Sequence, residues 1–115
     1  MSRFIKSFGF AGNGILYALK TQPNFKFHLA LTLITLFAGW YFKLNTAEWL
    51  WLIAAIGLVL IAELFNTALE VLVDFVSPAF HEKAGIVKDT AAGAVLVAAI
   101  IAVLIGLVIF VPKIW

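Results

Sequence analysis

From Thr90 to Val111 the chain reads TAAGAVLVAAIIAVLIGLVIFV, an apolar run with no charged side chain. It exceeds the roughly 20 residues that a helix needs to cross the hydrocarbon core of a bilayer. Nothing in the rest of the chain offers a soluble place to hide it. Hydrophobic residues make up 64% of the 115 residues and charged ones 12%, against about 25% charged in soluble domains. A domain this short leaves much of its surface in water, so the solvent that suits it is lipid.

Two other stretches read the same way. FHLALTLITLFAGWYF (Phe27–Phe42) is short for a span and must draw on its flanks. The other starts at Trp49 with WLWLIAAIGLVLI and continues through a more polar segment towards Val76. KLNTAE (Lys43–Glu48) forms a turn between them, and SPAFHEKAGIVKD (Ser77–Asp89), punctuated by Pro78 and Gly85, connects to the last run. Strands are excluded, because lipid tolerates no open sheet edge and the many alternating segments of a barrel are missing. The expected fold is an all-α membrane protein of one domain, residues 1–115, with spans at about 27–43, 48–76 and 89–111.

The first residues do not span. Phe4, Phe8, Ala11, Ile15 and Leu19 recur at helical spacing, while Arg3, Lys6, Asn13 and Lys20 interrupt the apolar run. That suits a helix lying in the interface over about residues 2–22, ended by Pro23. Gly12 and Gly14 lower its intrinsic helicity. A signal peptide is the competing reading, but the small-residue cleavage pattern is missing.

Basic residues set an expected orientation. Arg3, Lys6, Lys20 and Lys26 precede the first span, and Lys83 and Lys88 lie in the second connection. The positive-inside rule therefore places both regions in the cytoplasm. Trp40, Tyr41, Trp49, Trp51 and Trp115 form an aromatic belt at the other interface. A net charge of +2 and the absence of cysteine give no reason to expect nucleic acid, a disulfide or a thiolate metal site.

Within the second span, AELFNTALEVLVDF (Ala62–Phe75) breaks the pattern. At about 100° per residue Glu63, Glu70 and Asp74 share one face, and Asn66 and Thr67 flank it. A carboxylate facing lipid costs several kcal/mol, so this stripe must face protein, a cavity or a cation. The plainer reading, acids neutralising lysines at the rim, suits Asp74 and Glu70. It fits Glu63 poorly, because Glu63 lies about two turns deeper and no Lys or Arg occurs between residues 44 and 82. Two carboxylates on a cytoplasmic-facing stripe suit Mg²⁺ with phosphate ligands. A deeper one suits the removal of a proton from a hydroxyl held at the membrane. Lys88 adds a cation for phosphate, and Thr90 is placed to cap the last helix, whose N-terminus favours anions. His81 reads either as a ligand contact or as a solvated loop residue. No phosphate-binding Gly-rich loop exists.

The run ELFNTALEVLVD (Glu63–Asp74), then His81, then KDTAAGAVL (Lys88–Leu96) resembles the signature of the prokaryotic diacylglycerol kinase and undecaprenol kinase family. The resemblance extends over the whole chain. It implies a homotrimeric bundle that moves the γ-phosphate of Mg·ATP onto a membrane lipid alcohol. It makes Glu63 the general base with Asn66 beside it, Glu70 a metal ligand, and Asp74 a supporting acid. Glu63, Thr67 and Ala92 would lie against the lipid. Arg3, Phe10, Ala79, Phe80, His81, Lys88 and Asp89 would contact ATP. Aligning NFKFH (Asn24–His28) puts Gln22 where many members carry a second metal-binding Glu, so a weaker amide ligand is expected there. The short three-span form and the SP…H connection point to undecaprenol, with diacylglycerol the other acceptor.

Ala94, Ala98, Ala102 and Gly106 form a small-residue row that suits close helix packing. A small proton-coupled transporter would also bury a Glu. It would need neither Lys88 and Asp89 nor acids gathered at one face. A non-enzymatic assembly helper would explain none of the stripe.

Overall fold

The computed structural model describes residues Ser2–Trp115 and is helical throughout, with no strand among the described residues. The helices are α1 (Ser2–Thr21), α2 (Pro23–Tyr41), α3 (Thr46–Val76) and α4 (Glu82–Ile114). α1 is continuous across Gly12 and Gly14 and leaves Phe4, Phe8 and Phe10 exposed, as an interfacial helix would. Pro23 both ends α1 and begins α2. It lacks the N–H that the first helical position does not need, and Gln22 before it takes the extended conformation that a following proline favours.

The α2–α3 turn is closed by backbone bonds. Leu44 N–H reaches Gly39 O and Lys43 N–H reaches Trp40 O, with Lys43 in the left-handed region at φ 54°. α3 then opens on a capping box. Asn45 Oδ1 accepts from Glu48 N–H at 2.9 Å, and Asn45 N–H donates to Glu48 Oε1 at 3.0 Å.

α3 and α4 form an antiparallel hairpin held by an ion pair at each end, Asp74–Lys88 at 2.6 Å and Glu48–Lys113 at 3.0 Å. The seam on α4 runs through buried Ala91, Ala98 and Ile109. The expected small-residue row is therefore split: Ala98 is buried, Ala94 is exposed, and Ala102 and Gly106 line a cavity. The apolar core sits at the Asn45 end, where Leu44, Leu52 and Ile109 pack with Trp49, Ile56, Ile105 and Phe110. Phe42 meets Phe110 edge-on there, with ring centroids 6.0 Å apart.

At this end Gly39 is a close-approach position. A Cβ on it would lie 2.7 Å from Trp49 Cη2 and 3.1 Å from Leu44 Cδ1. Gly39→Ala should destabilise the protein by about 1–3 kcal/mol through overpacking, measured by unfolding in detergent. An unchanged transition would mean that the Trp49 ring swings away without cost.

α3 and α4 are long and apolar enough to cross a membrane. The expected first span does not reach that standard, since Asn24, Lys26 and His28 occupy the opening turns of α2. α4 also differs from its expected start, beginning at Glu82 and not near Asp89. Leu33, Ile34, Phe37, Leu96, Val97, Val103 and Val108 are exposed. So much exposed apolar surface requires lipid or further protein over it.

Candidate functional site

The polar stripe of α3 lies at the end opposite the apolar core and forms a ladder of three side-chain contacts. The innermost rung is Glu63, which is 2% exposed although it carries a carboxyl group. Its Oε1 lies 3.2 Å from His28 Nε2 on α2. Thr67, also buried, turns its hydroxyl back along the helix and donates to the Glu63 carbonyl at 2.9 Å. That bond satisfies the threonine within an apolar helix and leaves the carboxyl group to His28.

One turn along, Asn66 Nδ2 donates to Glu70 Oε1 at 3.1 Å. The other amide atom, Asn66 Oδ1, is buried and has no hydrogen-bond partner among the described residues. A buried acceptor left unpaired carries the desolvation penalty of a polar group without a return, so it marks where a donor or a cation fits. At the rim Asp74 accepts from Lys88 Nζ at 2.6 Å, joining α3 to α4. Neutralisation of a lysine, the plainer reading of the stripe, therefore holds for Asp74. It does not extend to Glu63.

The expected ATP contacts are dispersed. Arg3 and Phe10 stand exposed on α1; Ala79 and Phe80 stand exposed between α3 and α4; Asp89 stands exposed on α4, as does Ala92, which was expected against the lipid. Gln22 is half-buried at the head of α2. Among the described residues no hydrogen bond or ion pair joins Arg3, Gln22 or Asp89 to the stripe. His81 is neither a free loop side chain nor an evident ligand. It caps α4, its Nδ1 accepting from Lys83 N–H at 3.0 Å, so its ring proton sits on Nε2.

Thr90 consequently does not cap α4. Its hydroxyl donates to Ile86 O at 2.7 Å in the second turn beyond the true N-terminus. Lys88 lies on the side of a helix and not at its end, so its own ammonium, without the helix dipole, must attract any phosphate there.

His28 is the candidate site residue that the sequence alone did not single out. The available signal was an imidazole inside FHLALTLITL, an apolar run with no other ionisable group, together with the need of Glu63 for a partner from another helix. His28 also borders a cavity of about 310 Å³ between α2, α3 and α4, lined by Leu31, Ala55, Val59, Ala102 and Phe110 among others. Thr32 and Thr35, on the same wall, donate to His28 O and Leu31 O, so the hollow is apolar apart from the imidazole.

The stripe thus offers a buried carboxyl group at Glu63, oxygen atoms at Glu70 and Asn66, and a cation at the rim. No group of three or more His, Cys, Asp and Glu side chains able to hold a metal occurs among the described residues.

Comparison with known proteins carries the same stamp. The sequence matches the family described as prokaryotic diacylglycerol kinase over residues 9–110. It is 43% identical over 113 residues to the undecaprenol kinase of Bacillus subtilis (strain 168), covering 98% of this chain and 92% of that protein. It is 43% identical over 107 residues to a diacylglycerol kinase of Synechocystis sp., covering 92% of this chain and 61% of that protein. The diacylglycerol kinase of Escherichia coli (strain K12) is 30% identical over 103 residues, with 90% and 84% covered. All three relatives are named as kinases, which gives the transporter reading no support.

Proposed function

Because this chain belongs to the prokaryotic diacylglycerol kinase family and is a lipid kinase, we propose that the stripe from Glu63 to Asp74 is where a phosphoryl group passes from ATP to undecaprenol. The observation that carries this reading is Glu63: a carboxyl group 2% exposed, at depth in an apolar helix, facing protein and not lipid. The acceptor follows the fuller likeness, since the undecaprenol kinase aligns over nearly its whole length. Diacylglycerol is the second candidate, favoured by the names of the family and of the other relatives.

In this reading Glu63 takes the proton of the lipid hydroxyl as its oxygen bonds to the γ-phosphorus, and the bond from that phosphorus to the ADP oxygen breaks. Phosphoryl transfer asks mainly for positioning and charge neutralisation, with one proton acceptor. Asn66 and Thr67 hold the base turn in register, and the lipid tail lies along apolar helix faces beside Ala92. Lys88 holds phosphate oxygens while paired with Asp74. Arg3, Phe10, Ala79, Phe80, His81 and Asp89 border the nucleotide.

Mg²⁺ fits the donor set, for the unpartnered Asn66 Oδ1 stands beside the Glu70 carboxylate. Two protein oxygens with phosphates and water match the usual habit of this ion. Glu70 and Asn66 would hold it, with Gln22 from the head of α2. When bound it would offset charge on the phosphates.

The neutral amide at Gln22 has a measurable consequence. Gln22→Glu should lower the magnesium concentration for half-maximal activity by about 3–10-fold, since hard cations prefer anionic oxygen. Calorimetric magnesium binding in the presence of a non-hydrolysable ATP analogue should shift in parallel. With Glu70→Ala present the benefit should largely vanish. Equal shifts in both backgrounds would remove Gln22 from the ion.

The same proposal has α2 as a third span, with α1 in the interface of a bacterial inner membrane and the basic connections in the cytoplasm with ATP. It has three copies in a bundle, supported by the exposed apolar faces of α2 and α4. The acceptor is tested by vesicles holding undecaprenol and diacylglycerol at equal mole fraction. Preferential phosphorylation of undecaprenol is expected; preference for diacylglycerol would reassign the substrate.

A further inference from the structure

We propose that His28 is a positioning residue for the proton-accepting carboxylate, fixing Glu63 by donating from Nε2 to Oε1 and leaving the second carboxylate oxygen for the lipid hydroxyl. The proposal rests on the reading of Glu63 as the base and adds a residue from another helix to it.

The geometry begins with a shortage. Glu63 is 2% exposed, so water cannot orient its carboxyl group. Its own helix supplies no donor, because α3 has no Lys, Arg or His. The neighbouring hydroxyl, Thr67, donates to the backbone and not to the carboxyl group. Among the described residues the side chain in polar contact with that carboxyl group is His28, its Nε2 3.2 Å from Oε1. One donor on one oxygen settles the rotation of the carboxyl plane about its terminal torsion, which is otherwise soft.

The type of donor matters as well. A lysine or arginine would place a permanent cation against the base and stabilise its charged form, weakening it as a proton acceptor. A neutral imidazole in its Nε2–H tautomer donates from the same nitrogen as a protonated one, so it can orient the carboxyl group without that fixed charge. The ring is itself located by its setting. It meets the Phe27 ring edge-on at 5.8 Å, its backbone carbonyl accepts from Thr32 Oγ1 at 2.8 Å, and its side chain is 18% exposed. On its free side it borders the apolar cavity of about 310 Å³. His28 therefore stands between the Glu63 carboxyl group and that space. A base held there in one orientation meets a hydroxyl in one geometry.

A purely structural histidine would make a different prediction, so the test is a kinetic cycle on the full-length protein in bilayer vesicles. Turnover and the KM for ATP and for the lipid alcohol are measured for the parent, His28→Ala, His28→Gln, Glu63→Gln and the double variant His28→Ala with Glu63→Gln. His28→Ala should lower kcat about 10–100-fold, the scale of a misplaced catalytic group, with the KM for ATP within about twofold of the parent. His28→Gln, whose side-chain N–H can replace the Nε2 donor, should recover turnover to within about fivefold of the parent. The double variant should be no more than about twofold slower than Glu63→Gln alone, because the imidazole acts through a group already disabled.

Parent-like kcat in His28→Ala, with Glu63→Gln slow, would overturn the role of His28 and leave Glu63 as the base. Losses that multiply in the double variant would overturn it as well, by giving His28 a task independent of Glu63. A Glu63→Gln variant as fast as the parent would instead remove the reading on which the proposal rests.

Discussion

Glu63→Gln is expected to turn over about 10²–10⁴-fold more slowly than the parent while binding ATP with little change. The substitution keeps the size of the side chain and an oxygen that can still accept from His28 Nε2 at the 3.2 Å contact. It removes the ability to take a proton at neutral pH. Because Glu63 is 2% exposed, neither water nor buffer can stand in for it, and its own helix offers no second base within reach. The structural cost of the change is small, since an amide is easier to bury than a carboxylate. Stability should therefore stay equal or rise as activity collapses. Turnover within about threefold of the parent would leave Glu63 as a buried acid with a packing role only.

Lys88→Ala is expected to raise the KM for ATP about 10–100-fold. A hydrogen bond to a charged partner is worth about 1.5–3 kcal/mol, and each 1.4 kcal/mol is tenfold in affinity. The Asp74 contact at 2.6 Å occupies one of the three N–H donors of Lys88 and leaves two for phosphate oxygens. The pair is itself exposed, with side chains 41% and 65% accessible, so its loss should cost less than about 1 kcal/mol of stability. The effect on ATP should thus be separable from the effect on folding. Asp74→Asn should disturb ATP binding less, because it frees the ammonium and does not delete it. If ATP binding in Lys88→Ala matched the parent, Lys88 would be a partner of Asp74 and nothing more.

Hydropathy made α3 and α4 legible because a bilayer leaves few choices for an uncharged run such as Thr90–Val111. The stripe was legible for the complementary reason: Glu63 is too costly in lipid to be placed without a partner. Which partner could not be read, since Glu63 and His28 are brought together by the packing of α2 against α3 and not by spacing along the chain. The start of α4 was misplaced because composition marks where a helix becomes apolar. Glu82–Asp89 is polar and still helical, capped by His81, a residue type that carries little capping signal in sequence. α2 shows the limit from the other side. Asn24, Lys26 and His28 blur a span that the sequence suggests, and His28 contacts Glu63.

The dispersed nucleotide contacts have a physical reason of their own. Arg3, Phe10, Phe80 and Asp89 are exposed on α1, the α3–α4 connection and α4, and the family signature names such positions without the geometry that would gather them.

The most direct measurement is the fate of a labelled γ-phosphate. Purified protein in bilayer vesicles containing undecaprenol is given γ-labelled ATP and magnesium, and the lipid extract, the protein and the aqueous phase are counted separately. The label should enter the lipid extract as a phosphorylated alcohol, in step with ADP formation. Label appearing only as free phosphate, or remaining in ATP while the alcohol is unchanged, would contradict phosphoryl transfer to a lipid at this site.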